Sequence, residues 1–220
     1  RLERDTMGEM QVPTDALYGA STQRAVINFP ISGRRLPEPF LRALAWVKLA
    51  AARSNLELGL LSEIKARAIE AAAREVVDGK WIEHFPVDVF QTGSATSSHT
   101  NMNEVLANLA SVRSGLPIGS RQPVHPNDDV SLGQSSNDVV PTALHVSVSL
   151  ELAGRLVPVL EKLGRALQSK SSEFGSILKI GRTHLMDATP MTLGQAFSGY
   201  AHQVTKGVDR CQRAVAALSE

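Results

Sequence analysis

VVPTALHVSVSLELAGRLVPVLEKLGRAL, residues Val139 to Leu167, is the stretch that decides the fold class. Leu144, Val148, Leu152, Leu156, Leu160, Leu163 and Leu167 recur at steps of three and four residues, which places them along one stripe of an α-helix. Pro141 falls in the first turn, where a missing N–H does no harm, and Pro158 is expected to kink the middle. At about 1.5 Å of rise per residue such a helix extends roughly 45 Å. A second long helix is predicted from Thr192-x-x-Gln195, a capping-box pattern, onward through Phe197, Tyr200, Val204, Val208, Cys211, Val215 and Leu218. No Gly, Asn or Pro closes it before Glu220, so the sequence reads as stopping within a helix, as a truncated chain would. Two such seams do not close a bundle, and the remaining helices are expected from further sequence or from other subunits.

Ahead of this seam the elements are shorter. Leu41, Leu44, Val47, Ala51 and Leu58 follow Pro37 and Pro39 at helical spacing, and Ile64, Ala68, Ala72 and Val76 repeat the pattern after Ser62, a candidate cap. Asp78-Gly79 closes that helix. A third is predicted to start near Asn101, with Glu104 reaching back to it, to carry Val105, Leu109 and Val112, and to end at Gly115-Leu116-Pro117. Strand signal is confined to Met10–Val12 and Ile177–Ile180. The chain thus reads as mainly α, with a loop-rich helical domain over residues 1–133 and the start of a long-helix bundle domain over 134–220.

With 220 residues, 43% of them apolar, and a net charge of +1, no polyanion partner is implied, so nucleic acid is not expected. The single Cys211 rules out an intrachain disulfide and points to a reducing, cytoplasmic setting. No apolar run is read as long enough to span a bilayer, so no membrane is expected.

Three polar islands interrupt the helical pattern: Thr92–Glu104 (TGSATSSHTNMNE), His125–Asp138 (HPNDDVSLGQSSND) and Gly181–Gln195 (GRTHLMDATPMTLGQ). They concentrate Ser, Thr and Asn with a His in each. Small neutral donors of this kind suit an anionic oxygen better than a metal or a nucleotide phosphate. Ser135, Ser136 and Asn137 stand at the start of the seam helix, where unpaired amides and the positive end of the helix dipole favour a carboxylate. Residues of these types before a helix are most often plain caps. Three islands together point to a site. Neither a dinucleotide fingerprint, a P-loop nor a recognisable metal loop is present in the sequence, so no cofactor and no metal are expected.

The motifs ERDTMGEMQVP (3–13), YGASTQRAVINF (18–29), TGSATSS (92–98), HPNDDV (125–130), QSSND (134–138) and KIGRTHLMDATPMTLGQ (179–195) occur in an order that resembles class II fumarate hydratase, of the fumarase/aspartase superfamily. The resemblance implies mainly helical homotetrameric lyases with long antiparallel bundle helices and active sites shared between subunits. It also implies reversible hydration of fumarate to (S)-malate, a tricarboxylic acid cycle step, through an aci-carboxylate intermediate. It assigns substrate contacts to Ser94, Thr96, Ser135, Ser136, Asn137 and Thr183, and the acid–base role toward water to His184. A second carboxylate site falls on His125, Asn127 and Asp128, residues that also read as a plain turn. The serine that takes the carbon-bound proton belongs to a G-S-S block that these 220 residues do not contain, so the chain alone is expected to be inactive. Aspartate ammonia-lyase shares the SSND and MTLGQ segments and is the alternative, although His184 stands where aspartate-deaminating members usually carry Gln. A non-catalytic helical scaffold is the reading from a different class. The chain departs from the family pattern at Ala95, where Gly is usual, and at His99-Thr100, where Asn-Met is common.

Overall fold

The computed structural model describes residues 1–220, which fold into two compact units, Arg1–Ser147 and Val148–Glu220. The first turns of the seam helix belong to the first unit: Val139 and Ala143 are part of its core.

The first unit opens with an antiparallel hairpin, β1 (Leu2–Asp5) and β2 (Gly8–Gln11), paired from Leu2 opposite Gln11 to Asp5 opposite Gly8. Helices α1 (Ala20–Asn28), α2 (Glu38–Glu57), α3 (Glu63–Val77) and α4 (Thr96–Arg113) follow, with a 3-10 turn at Ile82–His84 and a π-turn at Pro126–Val130. Pro37 caps α2 and Pro39 sits in its first turn, where a fixed φ pre-shapes the helix. The buried stripe of α2 runs Leu41, Leu44, Ala45, Lys48, Leu49, Ala52 and Asn55, while Val47 and Ala51 flank it and Leu58 is exposed. In α3 the buried positions are Ala66, Ile69, Ala72, Ala73, Val76 and Val77, so the expected period holds but the face is turned and Ile64 points out. Ser62 caps it by position, without a side-chain hydrogen bond.

α4 corrects the expectation of a start at Asn101. It begins five residues earlier, at Thr96, with Ala95 as its cap at φ 50° and ψ 34°. Asn101 is interior and donates to the His84 carbonyl at 3.0 Å. Glu104 does not reach back along its own helix; its carboxylate accepts from the amides of Gly19 (2.8 Å), Ser21 (3.0 Å) and Thr22 (3.2 Å), capping α1 instead. α4 is buried from Ser98 to Ser111 save for half-buried Thr100, so it shows no polar face by which its start could be read.

The seam helix α5 (Ser136–Glu151) passes into the second unit, where a π-turn (Leu152–Leu156) leads to α6 (Val157–Glu173). The disturbance expected at Pro158 takes the form of that wider turn, which lies just before a ring placed in the first turn of α6. The helical run Ser136–Glu173 is, by length and composition, apolar enough to cross a membrane, which corrects the reading that no such run exists. The seam alone does not account for this: Val140, Ala143, Val146 and Leu150 fill its flanks, and only Glu151 and Arg155 are charged between Val139 and Leu160.

Strands β3 (Leu178–Thr183) and β4 (Met186–Thr192) form a second antiparallel hairpin, followed by α7 (Leu193–Leu218). The polar island Gly181–Gln195 is therefore largely hairpin. The Thr192–Gln195 capping box is present, at 3.1 Å from the Gln195 amide to Oγ1 and 2.9 Å from the Thr192 amide to Oε1. α6 and α7 pack antiparallel: Phe174 meets Phe197 edge-on at 5.2 Å, Gly164 faces Val204, and Leu160 faces Gly207. Gly194 lets the start of α7 approach the end of α6, since a Cβ there would lie 2.4 Å from the Ser171 carbonyl oxygen. Along the run, Leu144, Val148, Leu156, Val159 and Leu163 remain exposed.

Candidate active site

Two segments remote in sequence bring hydroxyl groups together in the first unit. The turn Gly93–Ala95 and the start of α4 deliver Ser94 and Thr96, and the start of α5 delivers Ser136. Thr96 Oγ1 lies 2.9 Å from both Ser94 Oγ and Ser136 Oγ, and Ser94 Oγ lies 3.4 Å from Ser136 Oγ. In each pair either oxygen can donate, so the trio can turn its protons toward an incoming anion without charging any group. Both segments open helices, and first-turn amides with no intrahelical acceptor add to the same preference for negative charge.

Ser135 plays the plainer part: its Oγ accepts from the Asn137 amide at 3.3 Å, and its carbonyl accepts from Asp138 and Val139, so it is the cap of α5. Asn137 sits in the first turn with its side chain exposed. Ala95 holds a left-handed conformation. Its methyl group therefore sits where only glycine is unstrained.

Asn127 and Asp128 fall in the π-turn Pro126–Val130, and His125 caps it. The His125 ring accepts from the Asp128 amide at 3.2 Å through Nδ1, which also lies 3.1 Å from the exposed Asp128 carboxylate. Asn127 is exposed. The turn is pinned by Asp129, whose carboxylate accepts from the His125 amide at 2.8 Å and from Lys65 at 2.8 and 2.9 Å. These contacts account for the shape of the turn without a ligand.

In the second unit, Thr183 pairs with Met186 across a two-residue turn made by His184 (φ 50°) and Leu185 (φ 62°). Positive φ at both central residues is the type I′ geometry that favours Asn-Gly, and holding it with two larger side chains costs on the order of 1–2 kcal/mol per residue. Backbone strain of this kind persists where surrounding structure fixes it, and it presents His184 at the tip of a rigid hairpin. Arg182 and Asp187 brace the turn at 3.2 Å.

Sequence reasoning missed a buried polar cluster behind the hydroxyl trio. Lys48, on the core stripe of α2, is fully buried. Its Nζ donates to Gln134 Oε1 at 2.8 Å and lies 3.4 Å from His99 Nε2, which in turn is 2.9 Å from Ser131 Oγ. Burial lowers the Lys48 pKa to about 7 and, with Lys48 beside it, lowers that of His99 to about 4. The available signal was periodicity: Lys48 stands four residues from both Leu44 and Ala52. His84 and His145 have other positions, the first accepting from the Leu17 amide at 3.2 Å and the second exposed on α5.

Residues 8–220 match the family model described as lyase. The chain is 54% identical over 214 residues to the mitochondrial fumarate hydratase of Rhizopus oryzae, covering 96% of this chain and 43% of that protein. It is 54% identical over its whole length to the class II fumarate hydratase of Halobacterium salinarum, covering 47% of it. A crystal structure of a fumarate lyase:delta crystallin from Brucella melitensis superposes with a TM-score of 0.96 at 44% identity, covering all of this chain and 50% of that one. That of a recombinant class II fumarase from Schistosoma mansoni gives 0.89 at 42% identity, covering 95% and 44%. The chain thus spans about half the length of the relatives it resembles. It belongs to the lyase family, and within that family its whole length aligns with class II fumarate hydratases.

Proposed function

We propose that the full-length protein catalyses the reversible hydration of fumarate to (S)-malate. The observation that carries this reading is the convergence of Ser94, Thr96 and Ser136, from segments about forty residues apart, into one uncharged hydroxyl cluster at two helix starts. Removing the C–H proton beside a carboxylate loads negative charge on that carboxylate, as an aci-carboxylate. Neutral donors already aimed at it stabilise the charge as it develops, with little reorganisation. Ser135, Asn137 and Thr183 complete the proposed substrate contacts. His184 is proposed to manage the proton of the water that is added or lost.

The proton-abstracting serine of the G-S-S block is not among these 220 residues, and the full-length protein is proposed to supply it. The 220 residues alone are accordingly expected to show no turnover. A homotetramer with shared sites is favoured by the exposed apolar row Leu144, Val148, Leu156, Val159 and Leu163, which needs partner helices to cover it. Assignment to residues 1–133 and 134–220 as functional domains, a role in the tricarboxylic acid cycle and a cytoplasmic setting belong to the same proposal. A second carboxylate site at His125, Asn127 and Asp128 is part of it as well.

The test is an assay of the intact gene product with fumarate, malate and aspartate separately. Interconversion of fumarate and malate without turnover of aspartate is the expected result. Ammonia release from aspartate would favour the ammonia-lyase reading, and no turnover of any of the three would favour the scaffold.

A further inference from the structure

Lys48 and His99 are buried, carry chemistry and have no part in the mechanism above. Lys48 is fully buried and His99 is 5% exposed. No carboxylate is bonded to either, and none shifts either group: burial acts on both, and Lys48 alone adds to the shift of His99. Asp129, the nearest acid along the adjoining loop, is occupied by Lys65 and the His125 amide. A buried cation without a buried counter-charge is costly unless the state in which the protein works supplies one.

The cluster also lies between the two segments that build the hydroxyl trio. His99 is one helical turn beyond Thr96 on α4. Ser131 and Gln134 lie on the loop that ends at Ser136. Gln134 is held at both ends: it accepts from Lys48 and donates to the carbonyls of Val130 at 2.9 Å and Leu132 at 3.3 Å. The two segments are therefore joined twice, through Thr96 and Ser136 at the surface and through His99, Lys48 and Gln134 within. His99 Nδ1 is buried with no partner. With Lys48 charged, Nε2 must accept and the proton rests on Nδ1, so the ring serves as a neutral spacer that carries no charge of its own.

We propose that Lys48 is a positioning residue for the hydroxyl cradle, acting through Gln134 and His99, and that its ammonium supplies the positive potential that favours a dicarboxylate there. This deepens the reading of the site as one for a small dicarboxylate and rests on it. The charge needs no direct contact: in a low-dielectric interior an unpaired cation is felt over several ångströms more strongly than in water. The sign follows from the lysine. Below pH 7 the ammonium is present and the anion is favoured; as pH rises through about 7 the proton is lost and the attraction with it. The facing groups on α2, α4 and the Ser131–Gln134 loop are Lys48 and His99, and His99, with its value near 4, stays neutral throughout that range.

The test is calorimetric binding of succinate, which remains a dianion across the range, to the full-length protein at pH 6.5 and 8.5, with fumarate turnover measured in parallel. The wild type is expected to lose about tenfold in affinity between the two pH values. Lys48→Arg, which keeps its charge, should bind tightly at both, and Lys48→Met should bind about tenfold more weakly at both. A flat wild-type profile overturns the proposal, as does a Lys48→Arg profile that still falls with pH, or no succinate binding at all. If Lys48→Met fails to fold, the comparison of wild type with Lys48→Arg decides alone. Succinate binding with this pH signature but no fumarate hydration would sink the proposed reaction and leave the role of Lys48 standing.

Discussion

Glu104→Ala should be among the most damaging single substitutions in the first unit. The carboxylate accepts from three amides, at 2.8, 3.0 and 3.2 Å, and two of them, on Gly19 and Thr22, are buried. Each buried donor left unmade costs about 1–3 kcal/mol, and the lost methylene adds roughly 0.8 kcal/mol. Against this stands the relief of desolvating a carboxyl whose pKa burial raises above the usual carboxylate range, while the amides pull it the other way. The net expectation is a loss of about 3 kcal/mol, which in a chain of this size lowers Tm by roughly 6–12 °C. Thermal unfolding followed by far-UV circular dichroism measures it. Glu104→Gln, which keeps one carbonyl oxygen in place, should lose about half as much. Because the folded-state pKa is raised, the stabilising contribution of Glu104 is greatest at acid pH and falls as pH rises through that value, so the gap between wild type and Glu104→Gln should narrow with increasing pH. A Tm shift for Glu104→Ala below about 2 °C would show that water replaces the carboxylate and that the α1 cap is not a structural bond.

His184→Asn in the full-length protein should lower kcat by roughly 100-fold or more with fumarate, read from fumarate absorbance, and an unchanged rate would remove the imidazole from the mechanism. Gly194→Ala should separate α7 from α6, because its Cβ would fall 2.4 Å from the Ser171 carbonyl oxygen and 2.8 Å from the Gly175 Cα; a loss of about 2–4 kcal/mol in chemical denaturation is expected. Ala95→Gly should stabilise by about 0.5–1 kcal/mol, the relief of left-handed strain less the extra freedom of glycine in the unfolded chain, and a lower denaturation midpoint would contradict that.

The long helices were legible because their signals are local. Apolar residues at steps of three and four, a capping box at Thr192 and a glycine after Asp78 act within a few residues of where they are written. The start of α4 and the turn and return strand of the β3–β4 hairpin were not, and for opposite reasons. α4 is buried along most of its length, so most of its polar residues bond to distant chain and periodicity vanishes; the apparent cap at Asn101 and Glu104 was made of residues whose partners lie elsewhere. The hairpin turns through His184 and Leu185, residues that carry no turn preference, so only the pairing of its strands reveals it. The same division runs through the site. Ser94, Thr96 and Ser136 were named from motifs, and their meeting is a tertiary fact; Lys48 was hidden because a lysine in a helix is read as a solvated side chain until its register with the core stripe is counted.

Nearly all the polar side chains along α4 are tied to chain laid down earlier or later: Asn101 to His84, Asn108 to the Leu17 carbonyl and the Gly119 amide, Glu104 to the start of α1, Ser111 to the Gln122 carbonyl. Such a rod works as a keyed shaft. Sliding it by a single residue would misalign all of these ties at once, so the places it assigns to Thr96 and His99 come as one setting, and sequence drift at its concealed amides and carboxylate should be tolerated less than drift among the leucines around them.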